Sequence, residues 1–393
     1  MTLALASPPA ATSRAAVAVV FLQQGLLTGG WSLHIPLILQ RLSITEGTMG
    51  LVIVVFGIGS LVAMLALGPW IDGHGTRSAT AWGAIGSSFF LLALSLAPSL
   101  ALVTVVAFFI GLLIGATDLA MNGNGVVVER RMARPIMSSF HAWWSVGAGV
   151  GALASGPIIA VLGGLGHAAL FAALTLAMAL WAGPRLAEDA PEPDAPRAPW
   201  RLPRQAVVWL LGIAVLMPYV AEGSVIDWSA TFLRAEVGAP VSLWGLGVAS
   251  LSASMVTMRF LGDRVRARFG AGPTLLWGGC LAGVGFLFVA FAGGLETGFV
   301  LRATLVSLGF LLAGAGVANM APIAFATAGN LPGVPAGTAL SIVTAFGYGG
   351  ILLAPSLLGF VGERTGFAFV YGLVAVLPLV VAVLSRAITG PRV

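Results

Sequence analysis

GATDLAMNGNGVVVERRMAR, residues 115–134, is the stretch on which the reading of this chain turns. It opens as an apolar helix and closes in a basic cluster. Asp118 sits near its start, among Leu112, Leu113, Ile114, Leu119 and Ala120. Asn122 follows four residues later, on the same helical face. Glu129, Arg130 and Arg131 end the run. A carboxylate inside an apolar helix needs a reason to be there. If the helix lies in a bilayer, ionising Asp118 at its centre costs roughly 2.5–3.5 kcal/mol or more.

Composition answers the membrane question. Hydrophobic residues make up 58% of the chain and charged residues 8%, and mean hydropathy is +1.01. Soluble domains carry about 25% charged residues. A chain of 393 residues could not cover a water-facing surface with so few. It is read as an integral membrane protein whose apolar runs suit helices rather than barrel strands. The net charge of +5 comes from arginine alone, since the chain has no lysine. A Walker A loop needs its lysine, so an ATP-driven pump within this chain is excluded. The arginines lie between apolar runs, which points to orientation in a bilayer and not to nucleic acid. Cys280 is the single cysteine, so no disulfide framework exists. His34, His74, His141 and His167 are scattered. No metal-ligand spacing, nucleophile elbow or dinucleotide loop is present, so neither an enzyme nor a cofactor is expected. The opening MTLALASPPAATSR has no charge before Arg14 and no cleavage site, and the first helix is expected to stay in place.

Twelve spanning helices are predicted, near 15–39, 48–70, 78–97, 101–128, 137–162, 167–183, 205–232, 241–261, 273–293, 298–325, 335–361 and 367–387. With that count, fifteen arginines fall on the side of the termini, and Arg41, Arg234, Arg302 and Arg364 fall on the other. The positive-inside rule then puts both termini in the cytoplasm. Residues 184–204 hold six prolines and four acidic residues and read as a cytoplasmic linker between halves 1–183 and 205–393. The halves echo one another. Asp72 and Asp263 stand 191 positions apart, Asn122 and Asn319 stand 197 apart, and Gly147 and Gly347 stand 200 apart. A near-constant offset predicts a duplicated six-helix unit.

Gly68-Pro-Trp-Ile-Asp72-Gly-His-Gly75-Thr-Arg77 resembles the signature that major facilitator transporters carry between helices 2 and 3. Arg259-Phe-Leu-Gly262-Asp263-Arg264 resembles its relic in the second half. A narrower resemblance is to the fucose-permease-like branch, carried by Asp118 to Asn122, Pro322 to Phe325, Gly347 to Gly350 and Pro355. Within that branch the chain looks most like uncharacterised bacterial inner-membrane members. The matching segments are Trp31 to Pro36, Met121-Asn122 with Val128-Glu129, Ser138 to His141, Ala221-Glu222-Gly223 and Asp227-Trp228-Ser229. His34 stands where those members carry arginine, and Ser32 where fucose permeases carry a functional aspartate. The resemblance implies an all-α membrane protein of the major facilitator fold, with twelve helices in two six-helix pseudo-repeats. It implies a monomeric secondary transporter that takes a small polar solute and protons and binds it between the halves. Proton symport of a sugar or related metabolite is the first reading, efflux antiport the second, and a non-transporting sensor the third.

Asp118 and Glu222 are the candidate proton-coupling groups, because a carboxyl group in that setting can take a proton on one side and release it on the other. The alternative for Asp118 is a structural, hydrogen-bonded carboxyl. Gln23, Gln24, Trp31, Asn122, His141 and Asn319 are the candidate solute contacts, the amides for hydroxyls and the indole for a sugar face. Asp227 shares a face with Arg234 and is expected to be structural or part of an outer gate. Asp72, Arg77, Glu129, Arg130 and Asp263 are the candidate cytoplasmic gate, a role implied by the resemblance, with simple positive-inside anchoring as the other reading.

Overall fold

The computed structural model describes residues 8–134, 136–189, 203–334 and 336–389, with side chains described throughout except at 67–74, 263, 336 and 337. The described residues hold helices and no strand. This follows from the solvent, since backbone donors and acceptors in hydrocarbon must be satisfied within the segment. The first half contains α1 (Ala10–Leu42), α2 (Glu46–His74), α3 (Thr76–Ser87), α4 (Phe90–Leu96), α5 (Leu100–Met132) and α6 (Met137–Ala182). The second contains α7 (Ala206–Ala235), α8 (Leu246–Phe269), α9 (Ala271–Gly293), α10 (Phe299–Val317), α11 (Met320–Gly329), α12 (Ala336–Thr365), α13 (Phe367–Val374) and α14 (Val376–Thr389). The pairs α3–α4, α10–α11 and α13–α14 each form one span with a short break.

Among the described residues eleven stretches are long and apolar enough to cross a bilayer, and one of them, Met137–Arg185, runs to 49 residues. It is two spans. Gly163 interrupts α6 with φ 70° and ψ 172°, a conformation that glycine alone adopts readily. Residues on both sides of the break lie beside α1. A Cβ placed on Gly25 would fall 2.0 Å from the Trp144 carbonyl oxygen, while the Thr175 carbonyl accepts from Gln23 at 3.2 Å. In a straight helix those two residues would be about 46 Å apart. Among the described residues the apolar helices thus supply twelve stretches of spanning length, the number that the apolar runs predict.

The pseudo-repeat is visible in the backbone. Gly75 (φ 81°, ψ 167°) precedes α3, and Gly270 (φ 83°, ψ 167°) precedes α9. Seven residues after each stands an exposed tryptophan, Trp82 at 72% and Trp277 at 71%. Gly163 and Gly366 (φ 83°, ψ 156°) form a second matched pair. Exposed tryptophans near a helix end suit the aromatic belt of a bilayer interface.

The chain packs as two compact units. The first comprises Met1–Gly30, Val55–Gly151 and Val161–Pro196; the second comprises Trp31–Val54, Ala152–Ala160 and Arg197–Val393. In the first, Phe21 stacks on Phe140 at 5.6 Å amid Val17, Met121, Val128 and Leu186. In the second, Tyr371 is fully buried among Phe232, Phe286 and Phe310, and its hydroxyl donates to the Ser224 carbonyl at 3.2 Å.

Candidate functional site

In the first unit, Asp118 is the nineteenth residue of the 33-residue α5, about 27 Å from its start. It is half-buried, and Asn122 reaches back one turn to it. The Asn122 amide donates to the Asp118 carbonyl at 2.8 Å and to its Oδ1 at 3.3 Å. The two side chains thus form a carboxyl–amide pair on one face of α5. One turn beyond Asn122, Gly125 packs against Met137 and Phe140 of α6. That register puts His141 at about the depth of Asn122. His141 is exposed and meets the edge of Phe21 at 5.3 Å.

Gln23 and Gln24 are adjacent on α1 but differ in setting. Gln23 is fully buried, and its amide nitrogen donates to the Ala84 carbonyl at 2.8 Å, Ser88 Oγ at 3.0 Å and the Thr175 carbonyl at 3.2 Å. It ties α1, α3 and α6 together. Gln24 donates to Ser87 Oγ at 2.9 Å.

In the second unit, Glu222 is the seventeenth residue of α7 and half-buried. It lies two helical turns, seven residues, before Ser229, which packs on Gly247 of α8, so Glu222 shares the α8-facing side. The charge of Arg259 on α8 acts on it. A Cβ at Gly223 would meet nothing within 4 Å, so space is open beside this carboxylate. The Trp31 indole nitrogen donates to Asp227 Oδ1 at 3.2 Å, and both residues are 8% exposed. Asn319 occupies the break between α10 and α11, with its side chain against Gly262 of α8. The structure therefore groups Asp118, Asn122 and His141 in one unit and Trp31, Glu222 and Asn319 in the other.

The candidate gate residues fall around the ends of α3, α5 and α6. Glu129 Oε2 accepts from the backbone nitrogens of Ile136 at 2.6 Å and Met137 at 2.9 Å, capping the start of α6. Arg77 pairs with Glu188 and donates to the Pro184 carbonyl at 3.1 Å. Asp189 accepts from the backbone of Thr76 at 2.6 Å and Arg77 at 3.4 Å, at the amino end of α3. Arg131 donates to the Glu188 carbonyl, and Arg130 is exposed. Asn124, buried at 0% exposure, donates to Thr76 Oγ1 at 2.8 Å and the Ala187 carbonyl at 2.9 Å and accepts from the Ala187 nitrogen at 3.2 Å. The segment after the sixth span is thereby clamped onto α3 and α5. Asp72 and Asp263 lie outside the described side chains. Sequence reasoning missed Asn124, Glu188 and Asp189. The usable signal was an acidic pair on the arginine-rich side, directly after a span.

The Major Facilitator Superfamily model matches residues 17–334. An uncharacterised transporter of Sinorhizobium fredii, y4wD, is 31% identical over 373 residues, covering 94% of this chain and 96% of its own. An uncharacterised MFS-type transporter of Yersinia pestis is 31% identical over 392 residues, with 97% of each chain covered. The membrane protein MosC of Rhizobium meliloti is 28% identical over 359 residues, covering 89% and 84%. Among solved structures, a mutant of the nucleoside transporter NupG superposes with a TM-score of 0.75 at 16% identity, covering 96% of this chain and 99% of that one. That likeness is one of fold. A family model that matches residues 17–334, with relatives 31% identical over nearly the whole chain, places this protein in the Major Facilitator Superfamily: it is a membrane transport protein, not an enzyme.

Proposed function

We propose that the protein carries a small polar solute, a sugar or related metabolite, inward across the cytoplasmic membrane together with protons. It acts as a monomer with both termini in the cytoplasm. Residues 1–183 and 205–393 rock about the 184–204 linker in alternating access. Asp118 carries the proton, and the observation behind this is its place midway along α5 with the Asn122 amide bonded to its carboxyl oxygen. Neutralised, the carboxyl is compatible with hydrocarbon; ionised, it needs water or the amide beside it. Glu222 serves the second half in the same way, with Arg259 as its countercharge. Gln24, Asn122, His141 and Asn319 contact the solute. Gln23, whose amide donors are committed to three helices, is assigned to packing. Arg77, Glu129 and Arg130, with Asp72 and Asp263, form the cytoplasmic gate.

The test is Asp118→Asn in right-side-out vesicles. Gradient-driven accumulation should vanish while solute exchange at equal concentrations continues, since exchange needs no net proton movement. Undiminished accumulation would remove Asp118 from the coupling. Solute movement against an inward proton gradient would replace symport with efflux.

A further inference from the structure

Contacts within the second unit gather at the helix ends opposite the termini. Trp31 of α1 donates to Asp227 of α7. The Glu363 carboxylate, in the last turn of α12, accepts from the Gly47 nitrogen at 3.1 Å, at the start of α2. Backbones close in around the second of these bonds, and again where α8 begins beside α6. A Cβ on Gly50 would lie 2.6 Å from the Ser356 Cα, and one on Gly359 would lie 2.7 Å from the Glu46 carbonyl oxygen. A Cβ on Gly245 would lie 1.9 Å from the Ala152 carbonyl oxygen. Such approaches have no room for any larger side chain.

The same region contains polar atoms that this packing leaves unsatisfied. Asp227, Thr231 and Arg234 follow at i, i+4 and i+7 on one face of α7. Thr231 and Ser32, both at 0% exposure, have hydroxyls without a hydrogen-bond partner, as do the Trp228 indole nitrogen and Arg234 Nε. Buried donors and acceptors left unpaired oppose a packed state. Water would satisfy Ser32 and Thr231 if these helix ends parted. Closure is thus opposed by their desolvation and sustained by close backbone packing and two hydrogen bonds to carboxylates. Opposed contributions of that kind are what a reversible gate uses.

We propose that Trp31 and Asp227 are the latch of the outer gate, with Glu363 on the α2 amino end as its second point. Trp31 is then a gating residue, not a solute-stacking one. The hydrogen bond from its indole holds α1 against α7 when the outer end is shut. Opening breaks that bond, hydrates Asp227 and Thr231, and frees α2 from α12. The proposal rests on the transport reading for its direction, and its test does not.

The test uses the full-length protein in membranes, in a Cys280→Ser background with Ser32→Cys as reporter. A membrane-impermeant thiol reagent added from outside reads how often residue 32 becomes accessible. Adding Trp31→Phe, which removes the donor and keeps an aromatic ring, should speed labelling at least tenfold. Glu363→Ala should speed it less. Gly50→Leu, a wedge against Ser356, should speed it most. If the wedge accelerates labelling and Trp31→Phe does not, the gate exists without this latch and the proposal fails. If none of the three accelerates labelling in protein that still elutes as a folded species, the outer-gate assignment fails as well. Labelling requires neither solute nor proton gradient. A chain that responds here but transports nothing would retain the latch and lose the transport reading.

Discussion

Asn122 and Asn124 are two residues apart, both half or fully inside α5, and they should respond to truncation in opposite ways. Asn124→Ala removes three hydrogen bonds, to Thr76 Oγ1 at 2.8 Å, the Ala187 carbonyl at 2.9 Å and the Ala187 nitrogen at 3.2 Å. Ala187 is itself fully buried, so its backbone groups lose their partner without gaining water. Each such bond is worth about 1 kcal/mol net, and each buried group left unpaired costs about 1–3 kcal/mol. The sum for local attachment of residues 186–189 is about 2–4 kcal/mol. The surface pair Arg77–Glu188, with side chains 31% and 43% exposed, adds little that could compensate. Trypsin cleavage after Arg185, followed by mass spectrometry, reports this detachment directly. When opening is fast relative to cleavage, the rate follows the open population. A loss of about 2–4 kcal/mol then raises it by roughly 30-fold or more. Asn122→Ala breaks bonds only to its own helical turn, so cleavage should change less than about twofold. Under the proposed function the transport defects fall the other way, with Asn122→Ala impaired in uptake per folded molecule. Equal cleavage rates for Asn124→Ala and the parent protein would refute the clamp.

Two further substitutions test backbone and caps. Gly163 and Gly223 both have open space where a Cβ would stand, but Gly163 has φ 70° and Gly223 is helical. Gly163→Ala should lower stability in detergent by about 1–3 kcal/mol, the cost of a glycine-only backbone region, while Gly223→Ala should be neutral or slightly stabilising; thermal unfolding followed by size exclusion distinguishes them. Glu129→Ala should lower thermal stability by about 0.5–2 kcal/mol through loss of the α6 cap, with Glu129→Gln recovering part of it, because an amide oxygen still accepts from the Ile136 and Met137 nitrogens.

The spans were legible because a bilayer imposes a length and a composition, and both are properties of contiguous sequence. The turn at Gly163 was legible for the same reason, since a 49-residue apolar stretch is too long for one crossing. The site was legible only in part. Asp118 and Asn122 could be paired from their spacing, because partners four residues apart meet on a helix whatever surrounds it. Glu188 and Asp189 could not be placed, because their partners Arg77 and Thr76 lie 111 and 113 positions earlier. The bond from the Trp31 indole to Asp227 is equally out of reach of periodicity, because the two residues stand 196 positions apart. Periodicity tells which residues share a face, and it is silent on what that face meets.

The repeat sharpens where function can reside. What the halves share is backbone: glycines in matched left-handed conformations before α3 and α9, and again at Gly163 and Gly366. Outside the echoed Asp72 and Asp263, polar chemistry differs between the halves. Asn122 and Asn319 answer each other by position, yet Asn122 bonds to its own turn beside Asp118, and Asn319 sits in a helix break against Gly262. Position 315, at the same offset from Asp118, is Ala315. Glu222 has its counterpart near Gly25-Leu-Leu-Thr28 of α1, with no carboxylate. A duplicated scaffold constrains what every copy must do, which is to fold and to pack at the bilayer. Residues freed from that constraint are the ones that differ between copies. Asp118, Glu222 and Asp227 all belong to that set, the first in α5 and the other two in successive turns of α7. Under the proposed function, coupling and gating fall to these unshared carboxylates and not to the duplicated scaffold.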